Sequence, residues 1–134
     1  MCPETIYLHA TPLDRARAMI GTRFRLHGRD PESGLDCVGF IARVFAVDGV
    51  PTGYALRGGT QEGWAVLLDG FATRRNGGAQ AGDIMLLHTG PVQFHLGLWS
   101  GTSLIHADAA MGRVIELPGW PRWPVLGVWI SKGA

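Results

Sequence analysis

The hydrophobic period of this chain changes once, and that change limits what it can fold into. Before residue 76 the apolar residues recur at helical spacing, and after "NGGAQAGD" (76–83) the period moves from 3.6 toward 2. In "TPLDRARAMIG", Thr11 is a helix cap, Pro12 suits the first helical position and Gly21 is a stop, which predicts a helix over 12–20. Asp36 caps a second predicted helix over about 37–47, with Phe40, Ile41, Val44 and Phe45 on one stripe. Thr60 caps a third, in which Trp64, Leu67, Leu68 and Phe71 hold helical spacing. The later segments 83–87, 92–99, 103–107, 113–117 and 125–130 read as strands separated by turn residues. Helices followed by consecutive strands predict an α+β domain with a mainly antiparallel sheet of five to six strands.

At 134 residues the chain fits one domain, 1–134. With 46% hydrophobic and 17% charged residues and a net charge of +1, it has a globular composition and no broad electrostatic surface for nucleic acid. Arg15, Arg17, Arg23, Arg25 and Arg29 form a local basic run flanked by acids. It reads mostly as solvated surface, with contact to an anionic ligand as the alternative. The opening residues show no signal peptide, and no apolar run of roughly 18 residues suits a bilayer. The expectation is a chain made in the cytoplasm, with no membrane partner. Cys2 and Cys37 do not make a disulfide framework.

Candidate chemistry centres on "GLDCVGF" (34–40). Cys37 sits at a predicted helix N-terminus, where unpaired amides and the helix dipole favour a thiolate. An imidazole partner would take and return its proton. "HLGLWSGTSLIH" supplies two histidines around a turn signal, Ser100-Gly101. A two-residue hairpin loop there makes paired positions sum to 201 and sets His95 directly opposite His106. A three-residue loop would put them on opposite faces. Three other readings stand beside catalysis. A lone small cysteine opening an apolar helix is more often core. His88, His95, His106 and Cys37 could surround zinc, although their intervals match no usual ligand spacing. Trp120, Trp123 and Trp129, among Pro118, Pro121 and Pro124, read as core and rim packing, with an aromatic ligand wall as the alternative. His9 and His27 read as loop residues.

"GTRFRLHGRDPESGLDCVGFIARVF", "AGDIMLLHTGPVQFHLGLWSG" and "LIHA" together resemble the NlpC/P60 cysteine peptidases of bacterial and phage cell-wall hydrolysis. The blocks occur in the family's order from about residue 13 to 116. The resemblance implies a papain-like α+β fold and hydrolysis of peptidoglycan stem peptides, usually between γ-D-glutamate and a diamino acid, without a cofactor. It makes Cys37 the nucleophile, His95 the general base and His106 the residue that orients the base. Asp36 then caps or holds a loop. Two positions depart from the family pattern: Phe24 stands where a tyrosine is usual, and Val38 where a serine is usual. His27 or main-chain amides would then serve the substrate or oxyanion. The resemblance also implies stand-alone peptidases carried by phage-tail or gene-transfer particles to the wall. An acyltransferase or thioesterase on the same three residues, or a catalytically weak tail component, are the alternatives.

Overall fold

Each helix among the described residues begins where a short polar side chain precedes the apolar spacing. In the computed structural model, which describes residues 11–55 and 58–132, α1 spans Pro12–Ala18. The Thr11 hydroxyl accepts from the Asp14 amide, and the Asp14 carboxylate accepts from the Thr11 amide. This reciprocal box satisfies two donors that a helix start leaves unpaired. α2 spans Cys37–Val44 behind Asp36, and α3 spans Gln61–Asp69 behind Thr60. α1 and α2 stop short of the predicted 20 and 47. Met19 turns its N–H back to the Ala16 carbonyl, and Ala46 takes a left-handed φ of 53°. Cys2 and His9 lie outside the described residues.

The described residues hold eight strands, numbered in chain order. β1 (Arg29–Asp30) and β2 (Gly34–Leu35) form a small ribbon just before α2. The main sheet contains β3 (Ala72–Arg74), β4 (Ile84–Gly90), β5 (Gln93–Trp99), β6 (Ser103–Asp108), β7 (Arg113–Pro118) and β8 (Val125–Ser131). Its order is β3-β8-β4-β5-β6-β7, with every pair antiparallel. β3 is the one strand of this sheet the sequence reading missed, because three residues are too few to show an alternation.

The sheet is buried on both faces. The larger cluster holds Val38, Phe40, Ile41 and Val44 of α2 against Leu96, Leu98 and Ile105. The smaller one, on alternate strand positions, holds Met85, Leu87, Trp99, Leu104 and Val128. No helix among the described residues is long and apolar enough to cross a membrane.

The β5–β6 register differs from the expected one. Trp99 pairs with Leu104 and Leu98 with Ile105, so paired positions sum to 203, not 201. The turn is wider because the Ser100 hydroxyl accepts from Thr102 and Ser103 amides, while the Ser100 N–H reaches the Ser103 carbonyl. A slip of two keeps each side chain on its face. His95 and His106 therefore stay on one face but lie diagonally, not opposite.

Candidate active site

Asp36 organises the start of α2. Its carboxylate is wholly buried and accepts four hydrogen bonds. The donors are the Gly39 amide (2.8 Å), the His27 amide (2.8 Å), the Arg29 guanidinium (3.2 Å) and the Tyr54 hydroxyl (2.5 Å). The carboxylate thus ties the 25–30 loop and the 50s loop to the helix N-terminus. Burial, with Asp36 beside it, raises the Tyr54 hydroxyl well above the ordinary phenol range, so it acts here as a donor. Packing at this point is close. A Cβ on Gly39 would meet the Gly28 carbonyl oxygen at 1.8 Å, so only glycine lets the loop cross the helix start there.

The two histidines touch. His95 Nε2 lies 2.7 Å from His106 Nδ1, with the rings at 81°. His106 is buried and His95 half-buried. Burial first, then the neighbouring His106, holds His95 well below the usual imidazole range, although its ring is partly open to the cleft. Burial also lowers His106, opposed by Asp108 and reinforced by Arg122. Both rings rest neutral, so a single proton is shared along the Nε2···Nδ1 contact. If His95 donates it, His95 Nδ1 is left as a free base.

Cys37 approaches from the other side of the sheet. It belongs to the larger cluster and is fully buried, and its thiol lies at the main-chain amide of Leu96, the residue after His95. The β5–β6 ladder has ended at Leu98 and Ile105, short of His95 and His106. Among the described residues no hydrogen bond joins the thiol to either ring. Nor does the helix N-terminus yield the expected thiolate. Burial, and secondarily the Asp36 charge, push the Cys37 thiol up to about 12, and the nearby amides only partly offset this. At rest the thiol and both imidazoles are neutral.

A cleft of about 210 Å³ opens on the histidines, lined by Phe24, His95, His106, Asp108 and Trp123 among others. Trp123 stands edge-on to both rings, at 5.8 Å from His106 and 6.5 Å from His95. Trp123 thus lines the cleft while also packing at the rim of the smaller cluster, so the rim reading and the ligand-wall alternative meet in it; Trp129 is the buried one, and its indole N–H donates to Asp69. Phe24 lines the cleft, whereas Val38 is buried in the core. His27 does not line the cleft. It takes a left-handed φ of 60° and turns Nε2 to the Tyr54 carbonyl. Among the described residues no group of three or more His, Cys, Asp or Glu side chains is placed to hold a metal ion, and His88 stacks on Phe94. Sequence reasoning missed Tyr54, which acts through a contact distant in sequence that leaves no local pattern, and gave Trp123 a place at the cleft only as an alternative.

No family model matches the chain. It is similar to the Escherichia coli (strain K12) protein murein DD-endopeptidase MepS/murein LD-carboxypeptidase, 30% identical over 104 residues, which cover 77% of this chain and 51% of the relative. The chain thus spans about half the length of the curated relatives it matches. Among solved structures, the NlpC/p60 domain of the peptidoglycan hydrolase SagA superposes with a TM-score of 0.60 at 27% identity, covering 90% of this chain and 96% of that one. The chain has the NlpC/P60 fold. NlpC1 from Trichomonas vaginalis shares it with a TM-score of 0.65 at 18% identity, over 90% of this chain and 44% of that one.

Proposed function

We propose that this chain is an NlpC/P60 cysteine peptidase hydrolysing peptide bonds of peptidoglycan stem peptides, at the bond between γ-D-glutamate and a diamino acid. The observation that carries the reading is the 2.7 Å contact between His95 Nε2 and His106 Nδ1, beside the β5 amide that receives the Cys37 thiol. Likeness to MepS and to the SagA domain supports a wall substrate.

The neutral resting pair implies a general-base mechanism. In this mechanism the Cys37 side chain turns its S–H toward His95 Nδ1. As Sγ bonds to the substrate carbonyl carbon, the thiol proton passes to His95, and His106 accepts the Nε2–H of the resulting imidazolium. The Cys37 and Val38 amides at the start of α2 lie where charge develops on sulfur and oxygen. His95 then protonates the departing amine as the C–N bond breaks. A water, deprotonated by the same ring, hydrolyses the thioester and restores the thiol. Asp36 takes no proton in this sequence, since four donors already occupy its oxygens.

Mass spectrometry of muropeptide digests, with wild type and Cys37→Ala in parallel, tests the proposal. New termini at γ-D-glutamate that vanish in the variant support it. Cleavage at D,D or L,D bonds would instead give it the specificities named for MepS. Turnover of acyl esters alone would indicate the acyltransferase or thioesterase alternative, and no turnover by either protein across several wall types would defeat the peptidase reading.

A further inference from the structure

The arginine run of the first helix and loop is not one solvated surface. Arg17 pairs with Glu116 at 3.2 Å, Arg29 binds Asp36, and Arg15 Nε donates to the Val44 carbonyl. Arg23 differs. It pairs in antiparallel register with Arg113 of β7. The flanking bonds run from the Phe24 amide to the Gly112 carbonyl and from the Val114 amide to the Thr22 carbonyl. That pattern marks Arg23 and Arg113 as a non-hydrogen-bonded pair, the kind in which side chains stand closest. Both are exposed, and neither has an ion-pair or hydrogen-bond partner among the described residues. Two like charges directly opposite each other destabilise a sheet. The arrangement costs stability, and neither guanidinium has an ion-pair partner within the described fold to offset it.

Register also gives the pair its direction. Arg113 faces Asp108 across β6–β7, and Asp108 shares a face of β6 with His106. Arg23, Arg113, Asp108 and His106 therefore lie on one side of the sheet, and Asp108 and His106 line the cleft. The nearby acids are already engaged. Asp108 Oδ1 accepts from the Ala110 and Met111 amides, and Glu116 accepts from Ser103 and Arg17.

We infer that Arg23 and Arg113 form a carboxylate clamp at the cleft rim, selecting substrates with a free carboxylate beside the scissile bond. The inference rests on the γ-D-glutamyl reading above. A γ-linked glutamate spends its side-chain carboxyl on the peptide bond, so its α-carboxylate stays free, separated by two methylenes and the α-carbon from the carbonyl that Cys37 attacks. Two guanidinium forks side by side suit that group by paired, charge-assisted hydrogen bonds. An α-carboxamide in its place loses the charge and presents N–H groups to donors that have no acceptor.

The test compares two synthetic stem peptides, one with the γ-D-glutamyl α-carboxylate free and one amidated there. Wild type should favour the acid by about tenfold or more in kcat/KM, carried by KM. In Arg23→Gln, Arg113→Gln and the double variant, this acid-to-amide ratio should collapse toward one, and added salt should cease to lower kcat/KM for the acid. Thermal unfolding supplies a readout that a structural role would move the other way: relieving the like-charge pair should leave Tm unchanged or raised. An unchanged ratio in the double variant, or a parallel loss on both peptides with a fall in Tm, overturns the clamp. If wild type cleaves neither peptide, the peptidase reading fails separately. Calorimetric binding of the two peptides to Cys37→Ala then decides the clamp, and equal affinity for acid and amide overturns it.

Discussion

His95 and His106 are joined at 2.7 Å although their strands have stopped pairing, since the β5–β6 ladder ends at Leu98 and Ile105. The ring contact takes over where the main-chain ladder leaves off, and it orients the His95 ring with Nδ1 free. His106→Ala should lower kcat by roughly 10²–10⁴-fold, the range lost when a positioned acid–base system is disrupted. His106→Gln, which keeps an oxygen acceptor, should recover a substantial part. Steady-state kinetics on a stem peptide checks both, and equal activity in His106→Ala and wild type would remove His106 from the mechanism.

That pairing shows what the sequence carried and what it did not. Thr11, Asp36 and Thr60 were legible as caps because capping depends on a residue and the three after it. The common face of His95 and His106 was legible because parity survives a slip of two. The register itself was not, because it depends on Ser100 accepting two amides, which widens the turn. Tyr54 was hidden for a different reason: it reaches Asp36 across 18 residues, and Trp123, named only as an alternative wall, meets His95 from the loop before β8. The thiol's protonation state was misjudged because the helix dipole is a local cue, whereas burial is a property of the whole fold.

Asp36 holds two loops to α2, so its removal should act on stability before chemistry. Asp36→Ala strips a cap and leaves the Tyr54 hydroxyl, the His27 amide and the Gly39 amide without their acceptor. A cost of about 3–5 kcal/mol is expected, from buried donors at about 1–3 kcal/mol each, partly relieved by relaxation. Tyr54→Phe should cost less, about 1–2 kcal/mol for one hydrogen bond to a charged acceptor. Urea unfolding of the three proteins measures this order, and a Tyr54→Phe cost as large as that of Asp36→Ala would contradict it.

Gly39 should tolerate no side chain. The Gly28 carbonyl would sit at 1.8 Å from an added Cβ, and it is main chain, not the free end of a side chain. Gly39→Ala should therefore cost about 1–3 kcal/mol or more through overpacking, in spite of alanine's better helix propensity. By displacing the 25–28 loop it should also lower kcat, since the shift falls two residues from Cys37. A Tm at or above wild type would show that the loop moves aside freely.

The depressed histidines set both pH profiles. A lowered folded pKa means the unfolded chain binds more protons below its own value near 6.5. The stability contributed by the neutral pair is present above that pH and is lost as pH falls from there through the folded values. Tm should therefore decline below about pH 6.5 more steeply in wild type than in His95→Phe. For kcat/KM, the acid limb should lie below the ordinary imidazole range, because His95 remains a free base until it is protonated. Trp123→Ala should move that limb upward. Trp123 stands edge-on to both rings and shields them, and admitting water relieves the burial that lowers their pKa values. Histidine titration followed by NMR, alongside the rate profile, provides the check. Alkylation of resting Cys37 at pH 7 should be slower than that of free cysteine, since the thiol is buried and raised to about 12. Slow alkylation therefore does not argue against catalysis here. A fast resting thiolate, or an acid limb at or above 6.5 in wild type, would defeat the neutral-pair mechanism.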